Sequence, residues 1–157
     1  MASGDELRVA MRRFPTGVAV ATVDAGAGQP LGLTLASLVS LSLEPPLVGL
    51  AVSRQAALHE LLREADGFAL SLLAAGQEDL AQHFARGVPP LVLWQGIESR
   101  PGTRGPLLAG ALAWIDCSLE AEHDAGTHSF FVGAVERVEL GADAPPLVRV
   151  DGAYDAQ

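Results

Sequence analysis

Two β-prone stretches, Leu112 to His123 and Ser129 to Leu140, flank the segment Asp124-Ala125-Gly126-Thr127, and this arrangement constrains the fold more than any other feature of the chain. A short glycine-bearing link between two such runs returns the chain antiparallel to itself. In the second arm Phe131, Gly133, Val135 and Val138 sit among polar or small neighbours. Leu147 to Val150 offers a last strand before a polar tail, Tyr154 to Gln157. Further upstream the pattern is different. Leu47 to Val52 follows Pro45-Pro46 as a short strand, and Leu58, Leu61, Leu62 and Ala65 repeat at helical spacing until Gly67 breaks the pattern. Phe68 to Leu73 reads as another strand, and Gln77 to Ala85 as a short helix with Leu80, Ala81 and Phe84 on its apolar face. Alone, this alternation would suggest a doubly wound fold. The long hairpin decides against it.

The N-terminal part fits the antiparallel reading. Ser3 and Glu6 have capping-box spacing, and Leu7, Ala10, Met11 and Phe14 form one helical stripe that Pro15 ends. Val18 to Val23 and Leu31 to Leu35 read as a strand pair turned by Gly26 and Gly28. A Pro/Gly-rich stretch between Gly87 and Gly110, with Trp94 in it, is expected to be a long loop over one face. About seven strands and three helices, linked mostly as hairpins, make a small antiparallel barrel with helices on its outside, mainly β, in a single domain over residues 1–157.

Composition narrows the chemistry. Every one of the ten basic residues is arginine and the net charge is -9, which argues against nucleic acid as a partner. A lysine Schiff base and a P-loop lysine are excluded outright. Cys117 stands alone, so there is no intramolecular disulfide, CxxC redox pair or thiolate metal cage, and a reducing compartment is expected. The N-terminus lacks a basic-then-apolar leader and no run of about eighteen apolar residues occurs, so the expectation is a cytoplasmic protein without a membrane span.

Several local patterns could carry a site. Gly26-x-Gly28 invites a dinucleotide reading, but Gly32 comes too late, Pro30 intervenes and a strand follows, so the glycines are hairpin residues. His123 and His128 could face each other across the long hairpin beside Asp124, but no third and fourth ligand is placed, and no metal is expected. Asp116, Glu120, Glu122, Glu136 and Glu139 read as the hairpin's solvated face, with no catalytic carboxylate pair. Thr34, Ser37, Ser40 and Ser42 lie in an apolar context. They are either the outward side of a strand or, for Thr34 and Ser37, part of an anion cradle made with backbone N–H groups. Ser53-Arg54-Gln55, at a strand-to-helix junction, offers a hydroxyl, a guanidinium fork and helix N-terminal amides. Together they would suit a phosphate monoester.

Read in order, five blocks run collinearly from Leu7 to Tyr154: Phe14-Pro-Thr-Gly-Val18; Gly32-Leu-Thr-Leu-Ala-Ser37 with Ser40 to Leu47; Gly105 to Leu112 with Cys117; Gly126-Thr-His128 with Gly133 and Val135; and Gly152-x-Tyr154. This set resembles the flavin reductase-like domain, the FMN-binding split β-barrel found as the small reductase component of two-component flavin-dependent monooxygenases. The resemblance implies that Thr16, Gly17, Val18, Thr34, Leu35, Ala36 and Ser37 wrap the flavin, FMN or alternatively FAD. It assigns Ser53, Arg54 and Gln55 to the phosphate end, and His128 and Tyr154 to the nicotinamide or flavin edge. Ala56-Ala57 stand where the family often has Ser or Thr, Leu33 stands where it has Met, and Val88 to Thr103 match poorly. The implied activity is hydride transfer from NADH or NADPH to flavin, in a homodimer that supplies a monooxygenase. No catalytic residue of the chain's own is implied, because the cofactor carries the chemistry. A flavin-binding electron carrier or store of the same fold is the alternative.

Overall fold

The computed structural model describes residues 1–24, 29–86 and 88–156. In chain order the elements are α1 (Gly4–Met11), β1 (Thr16–Gly17), β2 (Ala19–Val23), β3 (Leu31–Leu35), β4 (Val39–Leu43), β5 (Pro46–Ser53) and α2 (Ala57–Ala65). They continue as β6 (Gly67–Leu72), α3 (Glu78–Ala85), α4 (Pro90–Leu93), β7 (Ser99–Arg100), β8 (Leu107–Leu108), β9 (Ala113–Ala125), β10 (His128–Leu140), β11 (Leu147–Val150) and β12 (Ala153–Ala156). The long hairpin β9–β10 is the centre of a seven-stranded sheet of order β3-β2-β6-β9-β10-β5-β4, antiparallel throughout. Its tight turn rests on Gly126 at φ +64°, a conformation glycine adopts without strain. Bulges between Val132 and Gly133 and between Val135 and Arg137 curl it.

The edges β3 and β4 do not bond to each other, so the expected barrel is a strongly curved sheet that stays unclosed. The run from Leu31 to Leu43 is accordingly not one strand. It breaks at residues 36–38, which cross the seam between the two edges. There the Ser37 hydroxyl donates to the Ala51 carbonyl at 2.9 Å and accepts from the Ala51 N–H at 3.1 Å, pinning the crossing to β5.

Side-chain alternation along the strands fills two buried clusters. One lies under α2 and includes Leu50, Leu62, Phe68, Leu70 and Phe131; the other lies under α3 and includes Val20, Leu73, Phe84, Leu108 and Leu147. Gly133 makes room for the first, since a Cβ there would stand 2.6 Å from the Phe68 ring. Gly67 has a similar role and is not the helix terminator expected. Asp66 takes the left-handed turn at φ 57°, while a Cβ on Gly67 would meet the Cys117 carbonyl at 2.5 Å.

Other expectations need correcting. The stretch 87–110 is no plain loop: it holds α4 and the β7–β8 ribbon, and Trp94 packs on Phe84 while its indole N–H donates to the Pro30 carbonyl at 2.6 Å. The polar tail is β12, paired with β11, and β1 adds to the other side of β11 to make a second, three-stranded sheet from the two ends of the chain. The capping box of α1 forms with both its bonds, yet the helix buries nothing: Leu7, Met11 and Phe14 stay exposed. Gly26 and Gly28 lie outside the described residues. No helix among the described residues is long and apolar enough to cross a membrane.

Candidate functional site

The open seam and the small sheet face each other across a cleft of about 740 Å³. Its apolar wall includes Met11, Phe14, Leu33, Leu35, Ala51 and Ala56. Its polar lining includes Arg12, Thr16, Ser53, His128 and Arg149. Strand register explains these placements. Thr16 pairs with Arg149 across β1 and β11, and Ser53 pairs with His128 across β5 and β10, so each strand pair delivers two neighbouring side chains to the cleft.

Of the residues expected from the sequence, Thr16, Thr34, Leu35, Ala36, Ser37, Ser53 and His128 come together here. Gly17 and Val18 line an adjoining apolar cavity of about 520 Å³ that also runs along residues 36–38. Arg54 is outside the cleft and donates to the exposed Asp124. Gln55 lines a cavity of about 380 Å³ under α4, and Tyr154 lines a cleft of about 600 Å³ beside α3. Arg8, Arg149, Val150, Asp151 and Gly152 also line the site, and of these only Gly152 was singled out in the sequence. The signals that pointed at that hairpin were the strand expected at Leu147 to Val150 and the Gly152-x-Tyr154 block.

The hydroxyls do less for a ligand than their number suggests. Thr34 donates its proton to the Ala81 carbonyl at 2.6 Å and Ser37 donates to Ala51, so neither has a proton left for an anion. Donors come from elsewhere. Among the described residues no hydrogen bond takes up the N–H groups of Ala36, Ser37 or Leu38. Ala56 starts α2 with no side-chain cap, leaving first-turn N–H groups without a side-chain partner beside the cleft. The Ser53 hydroxyl accepts from the Gln55 N–H at 3.2 Å and keeps its own proton. Half-buried amides and an uncapped helix start are good anion and carbonyl ligands.

His123 and the single cysteine add nothing to the cleft. His123 pairs with Phe130 and His128 with Ala125, so the histidines do not face each other. Burial pushes the Cys117 thiol up to about 12, which keeps it neutral and unreactive. The hairpin carboxylates are not simply solvated either. Asp116 is buried and accepts from the Arg104 N–H, and Glu136, Glu139 and Glu122 hold Arg104, Arg100 and Arg63. Behind His128, the Ser129 hydroxyl donates to Glu122 and meets Nε2 of buried His59 at 2.8 Å.

Residues 11–156 match the flavin reductase-like domain family. The chain belongs to that family. Relatives of this flavin reductase-like protein include the reductase component of 4-hydroxyphenylacetate 3-monooxygenase from Thermus thermophilus, 42% identical over 150 residues, covering 96% of this chain and 94% of that one. An NADH:FMN oxidoreductase of Rhodococcus qingshengii is 34% identical over 153 residues, covering 95% and 79%. Among solved structures, the NADH:FAD oxidoreductase of Streptomyces globisporus C-1027, in complex with NAD and FAD fragments, superposes with a TM-score of 0.91 at 34% identity, covering 98% of this chain and 92% of that one. The unclosed, curved sheet of the flavin reductase-like chain is thus the fold of a nucleotide-handling enzyme.

Proposed function

We propose that this chain is an NAD(P)H-dependent flavin reductase that binds FMN or FAD in the cleft beside the seam and supplies reduced flavin to a monooxygenase. The observation that carries this reading is the division of labour in the cleft: an apolar wall wide enough for an aromatic plate, donors supplied by unpaired amides and arginines, and no acid–base pair. In the flavin reductase-like family such a cleft needs none.

The residues present fit the cofactor. Leu33, Leu35 and Phe14 offer a dry surface to a ring system, and the N–H groups of residues 36–38 suit its carbonyl and ring-nitrogen edge. Ser53, the start of α2, Arg12 and Arg149 offset the phosphate. When bound, the flavin supplies the hydride-accepting centre. What the protein would contribute is positioning and exclusion of water: His128 lines the cleft, where it could orient the nicotinamide carboxamide, and the apolar wall would keep solvent from the reacting rings.

A homodimer belongs to the same reading. The outer edge of β4 carries Val39, Leu41 and Leu43 exposed, and Val39 shares the 520 Å³ cavity with Met11 of α1 and with Phe14. A second copy seated on them would cover an unpaired apolar edge and wall in the seam. The deciding experiment is steady-state oxidation of NADH and NADPH with FMN or FAD under anaerobic conditions. Turnover that depends on added flavin is expected. A yellow protein that never oxidises either nucleotide would be a flavin store instead.

A further inference from the structure

A buried polar chain that the cleft does not use runs under α2. His59 is buried on the packed face of that helix, with Leu58 and Leu62, and Ser129 is buried beneath it on β10. A leucine in place of His59 would leave water at less cost than an imidazole does. The imidazole is instead bonded. Ser129 gives its hydroxyl proton to Glu122 at 2.8 Å, and Glu122 lies diagonal to it across the β9–β10 hairpin, opposite Phe131. Glu122 is ionised, its carboxyl depressed to about 2 chiefly by hydrogen bonding to Arg63, so it has no proton to return. The Ser129 oxygen is therefore an acceptor toward His59, and Nε2 of His59 carries the proton and donates at 2.8 Å. Nδ1 faces the exposed Glu60 carboxylate at 3.2 Å, which Arg63 also holds, and the ring lies edge-to-face on Phe131 with centroids 5.3 Å apart.

The bond joins a fixed element to one free to shift. β10 is laddered on both sides, to β9 and to β5. α2 rests on the sheet through Leu58 and Leu62, and apolar contact is non-directional, so it holds the helix down without setting its rotation or its height along the strands. A hydrogen bond sets both. His59 lies in the first turn of α2, where its own N–H closes on the Ala56 carbonyl. Ser129 follows His128, which pairs with Ser53, so the tie is made at the level of the cleft. Arg63, one turn further on, ties the same helix to Glu122 from its exposed side.

We propose that His59 is a positioning residue for the flavin phosphate: through Ser129 it sets the first turn of α2, and with it the N–H groups beside the cleft, at the height the phosphate requires. This rests on the flavin reductase reading, in which the start of α2 offsets that phosphate. Fluorescence titration of the purified protein with FMN and with riboflavin, beside thermal melts, tests it. His59→Leu should weaken FMN about tenfold, the worth of a hydrogen bond to a charged group, and leave riboflavin within about twofold. His59→Gln, whose amide can donate to Ser129, should recover most of the FMN affinity. His59→Leu with Ser129→Ala replaces the buried pair by apolar groups; it should melt close to the wild type while FMN stays weak, and it carries the test if the single variant folds poorly. Wild-type FMN affinity in these leucine variants, equal losses for FMN and riboflavin, or a glutamine variant no better than leucine overturns the assignment. A wild type that oxidises NADH with flavin yet binds FMN no tighter than riboflavin also overturns it and keeps the reductase reading; one that neither binds flavin nor oxidises NADH loses both.

Discussion

Ser37 shows how a residue can matter to a site without touching its ligand. Its hydroxyl is committed in both directions to Ala51, so its task is to hold residues 36–38 where their amides remain available. Ser37→Ala should cost about 1–2 kcal/mol of stability. It should also weaken FMN and riboflavin by similar factors, because the crossing segment loosens and no phosphate contact is lost. Fluorescence titration with both ligands beside a denaturant melt checks this, and a loss confined to FMN would put the hydroxyl back on the phosphate. His128 behaves differently. It lines the cleft, and among the described residues its ring hydrogen-bonds to nothing but the neighbouring Thr127 hydroxyl, at 3.0 Å. His128→Ala should raise the nicotinamide KM or slow hydride transfer about tenfold or more while FMN affinity stays within about twofold. Stopped-flow reduction with NADH separates the two, and collapse of FMN binding would move His128 onto the flavin.

At the scale of elements, the long hairpin could be read in advance because its signals are local: alternation in two arms and a glycine between them. Its carboxylates could not. Glu122, Glu136 and Glu139 look like a wet face until the fold brings up Arg63, Arg104 and Arg100 from 59, 32 and 39 residues away. The Arg63–Glu122 pair ties α2 to β9, and hydrogen bonding to Arg63 depresses the Glu122 carboxyl to about 2. A depressed carboxyl stabilises the fold above its unfolded pKa near 4.5, and that contribution disappears as the pH falls toward 2. Acid unfolding should therefore begin below about pH 4.5, and Glu122→Gln should flatten the curve between there and pH 2. Thermal melts at stepped pH measure this; a variant with the wild-type acid limb would remove Glu122 from the account. The same non-locality hid the small sheet. Thr16 and Gly17 fell between the first helix and the first expected strand, and Tyr154 in a tail, because the strand that joins them, β11, lies far from the first in sequence.

For the whole molecule, the exposed apolar positions make the testable case. Leu41 and Leu43 on β4 are 45% and 86% exposed, and Leu7 and Met11 on α1, with Phe14 just after it, are each more than half exposed. The helix was legible from its capping box, but its stripe implied a buried face that the single chain does not provide. If a second copy supplies it, the wild type should sediment as a dimer. Leu41→Lys with Leu43→Lys should then shift it to monomer and lower flavin affinity at equal protein concentration, through loss of the covering copy. Analytical ultracentrifugation decides this, and a wild-type monomer at tens of micromolar would leave the face to another occupant.

The seam between β3 and β4 has a further consequence. Through six antiparallel pairings β3 and β4 run in the same direction, and the three residues that link them are far too few for a parallel crossover, so the two edges cannot zip together and the amides of residues 36–38 stay clear of any ladder, at the cost of two unprotected edges. Stability and ligand capacity are thus set against each other at one place in the sheet. Substitutions that give the amides of residues 36–38 a partner within the chain should give a hardier protein that has lost its hold on flavin, so a screen for heat resistance alone would select against the site.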